Sequence, residues 1–327
     1  MLDSLSDTRV ARRVRFRDLQ VFFAVVECGS MAKAAVHLGV TQPAVSETIA
    51  TLESAFAVRL FDRSPQGVEP TIYGRALLKR GTAAYDELKQ GLRDIAFLAD
   101  PTAGEIRIGC PDSISVAILL PVVQKFCLEY PRIALRIDQV PTATLELPDL
   151  HARKLDLVIA RLSIPHVEDP FGGDLNVEIL FDDPPVVAAG ANSRWARRRG
   201  IDLSELVDEP WIATPRETLT TRVMEEAFRA SNLPIPRIRV TTFSLQLRIH
   251  LLATGNFLTA MPRSLLRLNA EGISLKELPV KLPVRSFPVG VVTVKNRTLT
   301  PLAERFIDCA RKVAASDTCR EATRRRS

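Results

Sequence analysis

The chain has 327 residues, 46% of them hydrophobic and 25% charged, with a formal net charge of +6. That length allows two or three domains of ordinary globular composition. There is no run of 18 apolar residues, and "MLDSLSDTRVARRVRFRDL" has no apolar stretch before a small-residue cleavage site. No membrane span or secretory signal is read, and a cytoplasmic protein without membrane contact is expected.

Residues 9–17 carry five arginines and no acid, and residues 311–327 carry six bases against two acids. Basic ends on a slightly acidic body suit a polyanionic partner, although the closing "RRRS" reads better as a solubilising tail. "RDLQVFFAVVEC" (17–28) repeats Leu19, Phe22, Phe23 and Val26 at helical spacing. Gly29 ends that helix, and Ser30 is placed to cap a second over Met31–Leu38. Gly39 supplies the left-handed residue of a tight turn. Thr41 then caps a third helix with Pro43 in its first turn, where a missing N–H costs nothing. This helix runs to about Ala55, with Ala44, Val45, Ile49 and Leu52 inward and its polar residues outward. Two short helices joined by a glycine turn make a helix-turn-helix.

In "VRLFDRSPQGVEPT" (58–71) two β-like pieces flank Ser64-Pro65-Gln66-Gly67, a wing. Residues 72–99 read as one long helix behind a Thr71 cap. Its Leu78, Gly81, Tyr85, Leu88, Leu92 and Ile95 alternate spacings of three and four, a coiled-coil seam. No neighbouring segment stands out to receive that face within the chain, so dimerisation is expected. After the linker "DPTAGE" (100–105), "EIRIG", an amphipathic helix stopped by Pro131, "IALRIDQV" and "LHARKLDLVIAR" alternate strand and helix. The same alternation restarts at "DDPPVVAAG" and ends with "PVGVVTVKN" and a last helix. This βαβ pattern predicts a parallel sheet.

Residues 19–78 resemble the LysR-type transcriptional regulators. The residues that carry the resemblance are Gly29-Ser30-Met31 with Ala34-Ala35, Thr41-Gln42-Pro43-Ala44-Val45-Ser46, Leu52-Glu53 and Leu60-Phe61-Asp62-Arg63. "GEIRIG", "LLPVVQKFCLEYP", "LDLVIAR", "EPWIATP" and "TGNFLTAMP" extend it to about residue 311. The resemblance implies an α/β protein: a winged helix-turn-helix (1–71), a dimerising linker helix (72–100), and a two-lobed sensor (101–327) resembling type 2 periplasmic binding proteins. Lobe one is expected at about 104–181 and 284–311, and lobe two at about 182–283. Expected partners are double-stranded DNA, a small-molecule effector, a second or further copies in a homodimer or homotetramer, and RNA polymerase.

For DNA, Gln42 can bond an adenine edge, Pro43 can touch a thymine methyl, and Ser46 can bond a base or phosphate. Ser30, Thr41 and Arg63 are read as phosphate positioners, with helix capping as the competing role of the two hydroxyls. Glu47 departs from the family pattern, in which many members carry arginine. A glutamate there either accepts from a cytosine N4 or faces solvent. For the effector, Ser113 and Ser115 lie where "CPDSIS" opens a helix, an anion-binding arrangement or a plain cap. Thr142 or Thr144, Arg161 and Thr214 follow strands, where such clefts form. Arg161 has two candidate partners, an effector carboxylate or Asp112. Gly255, between Thr254 and Asn256, is expected on the far wall.

The five cysteines form no CxxC pair, and the four histidines show no ligand spacing, so no metal or cofactor is expected. Cys110 adjoins the expected cleft, but residues 182–283 hold no cysteine to resolve it, which argues against redox sensing. No Ser/His/Asp set or phosphate loop supports an enzyme. A solute-binding or transport protein remains as the alternative, suggested by the two-lobed half alone.

Overall fold

The computed structural model describes residues 14–64, 67–140, 147–162, 173–267 and 274–324. The chain divides into two compact units, one ending at Leu92 and one beginning at Arg93.

In the first unit, α1 (Phe16–Cys28), α2 (Met31–Leu38) and α3 (Gln42–Phe56) precede a two-stranded antiparallel wing, β1 (Phe61–Ser64) and β2 (Gly67–Pro70), and then α4 (Ile72–Ala99), whose last residues from Arg93 belong to the second unit. Gly39 sits at φ 66°, a left-handed conformation that turns α2 into α3 and is easy only for glycine. Ala34 and Ala35 of α2 are buried beside Phe22, Val25, Val45, Ile49 and Leu52, so small side chains allow the helices to cross closely. Ala44, expected inward, is exposed; the buried stripe of α3 is Val45, Ile49 and Leu52. Glu53 ties the wing to α3, its Oε1 accepting from the amides of Leu60 (2.7 Å) and Phe61 (3.3 Å).

The expected seam of α4 divides in two. Tyr85 packs on Phe23 of α1, ring centroids 6.0 Å apart, and its hydroxyl accepts from Gln20 Nε2 at 2.6 Å. Gly81 lies so close to Phe23 that a Cβ there would sit 3.2 Å from the ring. The first half of the seam thus has a partner within its own chain, which the helical spacing alone did not reveal. Leu88, Leu92, Ile95 and Leu98 are exposed.

The second unit contains two five-stranded sheets. β3 (Gly104–Cys110), β4 (Ile133–Gln139), β5 (Leu157–Arg161), β6 (Leu175–Asp183) and β12 (Phe287–Val294) form the first, in the order β4-β3-β5-β12-β6. β7 (Pro185–Gly190), β8 (Trp211–Ala213), β9 (Ile238–Thr241), β10 (Leu258–Pro262) and β11 (Leu275–Glu277) form the second, in the order β11-β7-β10-β8-β9. Both are mixed, not parallel as the alternation predicted. β3, β4 and β5 run parallel, while β12 is antiparallel to β5 and β6. β8, β9 and β10 run parallel, while β7 is antiparallel to β10 and β11. The chain leaves the first sheet after Asp183 and re-enters it at Phe287, so the returning strand arrives reversed.

Five helices accompany these sheets: α5 (Leu120–Glu129), the short α6 (Pro148–His151), α7 (Leu219–Ala230), α8 (Leu245–Ala253) and α9 (Pro301–Arg324). The first sheet is covered by α5 and α9, with Ile106, Ile108, Phe126, Leu157, Ile159 and Phe306 in its core. A helical turn at Asp112–Ile114 and a π-helical stretch at Ser115–Leu119 lead into α5. Pro121 has no N–H to give residue 117, which breaks the α-helical ladder at this point. In the second sheet, α7 and α8 pack from the flanks. There Trp211 meets Phe228 edge-on at 5.5 Å and donates its indole N–H to Leu206 O at 2.8 Å.

Candidate functional site

The first candidate surface is the outer side of α3. Gln42, Pro43 and Glu47 are placed on it by the helical turn that buries Val45 and Ile49, and Arg63 is exposed on the wing. Ser30 and Thr41 occupy the N-cap positions of α2 and α3 in extended backbone, but neither side chain bonds its helix's amides. Both hydroxyls are therefore available to a phosphate. Ser46 is not fully outward as expected. It is half-buried, its hydroxyl donating to Met31 Sδ at 3.3 Å and accepting from Gln42 Nε2 at 3.5 Å. It holds α3 to α2 and orients Gln42. Glu47, Ala50, Thr51 and Ser54 form one stripe of α3, and this stripe shares a concavity with Arg15 and Asp18 at the start of α1. Arg9, Arg12 and Arg13 lie outside the described residues.

The second candidate is a cleft of about 450 Å³ in the second unit, lined from both sheets. Ser113, Arg161 and Thr214 all border it. Its size falls within the range of small-molecule sites. Arg161 does not pair with Asp112, one of its two expected partners. Its Nη2 donates to Asp183 Oδ2 at 2.6 Å, and its Nη1 reaches Ser113 Oγ at 3.4 Å. Asp183 also accepts from the amide (3.0 Å) and hydroxyl (2.7 Å) of Ser264. One buried carboxylate thus joins β5 to the segment after β10, at the point where the chain passes from one sheet to the other. Ser115 turns away from the cleft. Its hydroxyl donates to Pro111 O at 3.2 Å and lies 3.2 Å from Cys110 Sγ. Thr214 Oγ1 lies 2.9 Å from Thr221 Oγ1 and also bonds Thr218.

Two expectations fall elsewhere. Thr142 and Thr144 lie outside the described residues. Gly255 is not on the cleft. It follows the far end of α8 at φ 81°, in a separate polar hollow beside Asn192 and Trp195. The cleft receives the N-terminal end of α8, where Leu245 and Arg248 line it. Residue 255 is about ten residues beyond Leu245, roughly 15 Å along a helix.

Arg248 is the cleft residue that sequence reasoning missed. It lines the cleft, is 4% exposed, and its Nε is buried with no acceptor. Burial lowers its guanidinium to about 10, against the opposing charge of Asp112. The signal was present in "LQLRIHLLA". Leu245, Arg248 and Leu252 are the buried stripe of α8, and a lone arginine takes the middle place. Cys110 is buried, and burial pushes its thiol up to about 12 despite the Ser115 hydrogen bond. A thiol of that kind is inert at neutral pH. Among the described residues, no group of three or more His, Cys, Asp or Glu side chains could hold a metal, and no helix is long and apolar enough to cross a membrane.

Residues 84–315 match the family profile described as LysR substrate binding domain, and residues 16–75 match the bacterial regulatory helix-turn-helix protein, lysR family. The chain belongs to the LysR family. It is a LysR-type DNA-binding transcriptional regulator with an effector-binding domain that resembles periplasmic binding proteins. Among relatives of this regulator, GbpR of Azospirillum brasilense is 27% identical over 306 residues, covering 94% of this chain and 88% of that one. PcaQ of Agrobacterium fabrum is 29% identical over 312 residues, covering 94% and 97%. Both are described as HTH-type transcriptional regulators. Among solved structures, a full-length OxyR variant from Pseudomonas aeruginosa aligns with a TM-score of 0.63 at 20% identity, covering 92% of this chain and 94% of that one. Full-length CbnR complexed with its target DNA aligns with a TM-score of 0.52 at 20% identity, covering 92% and 100%. At these identities the structures speak for the fold.

Proposed function

We propose that this LysR-type regulator is switched by a small organic acid bound in the cleft between its two sheets. The observation that carries the reading is Arg248, a buried guanidinium bordering the cleft with its Nε unpaired. An unpaired buried cation is costly, and an incoming carboxylate relieves that cost. Ser113 supports the same reading. Its hydroxyl borders the cleft, and as an acceptor from Arg161 it keeps its own proton to donate. Residues 1–71 act on DNA, 72–100 join copies into a homodimer or homotetramer, and 101–327 sense the effector, with lobes changing near residues 182 and 284. Gln42 and Pro43 face base edges, Ser30, Thr41 and Arg63 hold phosphates, Ser46 orients Gln42, and Glu47 reads a base. The protein works in the cytoplasm with RNA polymerase as its downstream partner.

A solute-binding role is not favoured, because the helix-turn-helix profile spans residues 16–75. The test is a thermal-shift screen of the full chain against small organic acids. A ligand at about 100 times its Kd stabilises by about 2.7 kcal/mol. Ser113→Ala should weaken the binding of a hit by about 0.5–1.5 kcal/mol, or more for a charged partner. A screen in which neutral solutes shift the transition and acids do not would refute the reading.

A further inference from the structure

The ionised groups around the cleft divide unequally. Arg161 is already neutralised by Asp183 at 2.6 Å, and both side chains are buried. Asp183 has its other acceptor capacity filled by Ser264. That pair leaves Arg161 Nε without a partner, but it carries no net charge to offer a ligand. Asp112 and Arg248 remain. Asp112 is half-buried and keeps contact with water, so its charge needs no ligand. Arg248 is 4% exposed and forms no side-chain hydrogen bond with any described residue. Among the described lining residues Arg248 is therefore the one cation without a hydrogen-bonded carboxylate, Asp112 acting on it only as a nearby charge.

Beyond Asp112, Arg161 and Arg248, the described lining carries no charged side chain. Val140, Leu219, Phe243, Leu245, Pro262 and Leu265 form an apolar part of the wall, Phe243 standing 63% exposed, while Ser113, Gln139 and Thr220 are neutral polar neighbours. The hydroxyls of Thr214 and Thr218 bond each other, which lowers their demand for a ligand partner. A second carboxylate on the ligand would find no second unpaired cation in the described lining and would meet the like charge of Asp112.

We infer that the effector is a monocarboxylate with an apolar body, its one carboxylate on Arg248 and its body against the Phe243 wall. This rests on the acid-binding reading of the cleft and narrows it. Arg248 is then the residue that sets specificity for a single charge.

The test is calorimetric titration of the full chain with two matched pairs of probes. Hexanoate and adipate share a six-carbon chain and differ by one carboxylate. 3-Phenylpropionate and benzylmalonate share a skeleton and differ by one carboxylate. Each simple monocarboxylate should bind at least about 10-fold more tightly than its matched partner, and Arg248→Gln should weaken it by about 10-fold or more. Arg248→Gln should leave the unfolding midpoint unchanged or raised, because a buried charge with no hydrogen-bonded carboxylate has been removed. Arg248→Met is the second variant, with the same expected loss of binding. If adipate or benzylmalonate binds as tightly as its partner, the single-charge inference is overturned while the acid-binding cleft stands. If Arg248→Gln and Arg248→Met both retain full affinity, Arg248 is not the anchor and the inference is also overturned. If none of the four probes binds at millimolar concentration, the inference and the acid-binding reading are overturned together.

Discussion

Replacing Asp183 with alanine removes the one carboxylate that neutralises the buried Arg161. Asp183 is 3% exposed and Arg161 is 9% exposed. The substitution breaks a 2.6 Å ion pair and frees the amide and hydroxyl of Ser264 as well. Breaking a buried pair from one side costs about 3–5 kcal/mol, because the surviving charge stays in a medium that solvates it poorly. For a unit of this size each kcal/mol lowers the melting temperature by about 2–4 °C, so Asp183→Ala should lower it by about 6–20 °C. The assay is thermal unfolding of the full chain, beside Arg161→Met and the double variant. Most of the loss comes from the stranded charge, so Asp183→Ala/Arg161→Met should recover part of the stability lost by Asp183→Ala alone. A double variant that is less stable than Asp183→Ala would refute the reasoning, since it would mean that Arg161 stabilises the fold without its carboxylate.

Leu88 and Leu92 are exposed on α4 and should hold two copies together, so replacing both with aspartate should give monomers by light scattering that bind DNA weakly. Asp156 is buried among Arg93, Arg107 and Arg297. Burial alone would raise its carboxyl, but the Arg107 side chain and amide, with the charge of Arg93, hold it below the usual carboxylate range. A depressed carboxyl stabilises the fold above its unfolded pKa of about 3.9 and loses that contribution as pH falls through the lower folded value. The stability gap between the natural chain and Asp156→Asn should therefore be constant near neutral pH and shrink below about pH 4 in urea titrations. Glu47→Gln should change the preferred base at one position per half-site, losing discrimination by about 1–3 kcal/mol. Identical preferred sequences in a binding-site selection would show that Glu47 only faces solvent.

The helix-turn-helix was legible because its signals are local. Gly29 and Gly39 sit at positive φ where the chain turns, and Pro43 lies in the first turn of α3. The α4 seam was half legible. Spacing shows that a face is apolar but not what covers it, and the ring that receives Tyr85 is Phe23, three helices earlier in the chain. The mixed sheets were hidden for the same reason, since strand direction follows from where the chain crosses and returns. β6 was missed because "LNVEILFDD" carries Glu178, Asp182 and Asp183, which blur its alternation. In the cleft, Ser113, Arg161 and Thr214 were readable as residues at strand ends. The tie from Asp183 to Ser264 spans 81 residues and has no local signature. Arg248 was readable in principle, as a charge at a core position of α8. Gly255 misled because it follows a helix whose other end meets the cleft.

The most direct measurement is the binding of the full chain to the DNA upstream of its own gene, by anisotropy and footprinting. It is made at two salt concentrations, with and without the tightest-binding acid from the calorimetric panel, for the natural chain and for Arg248→Gln. The account predicts binding that falls as salt rises, because counterions are released from phosphates. It also predicts that the acid changes the affinity or footprint of the natural chain and leaves Arg248→Gln unresponsive. An acid that binds the cleft through Arg248 yet leaves both affinity and footprint unchanged would contradict it.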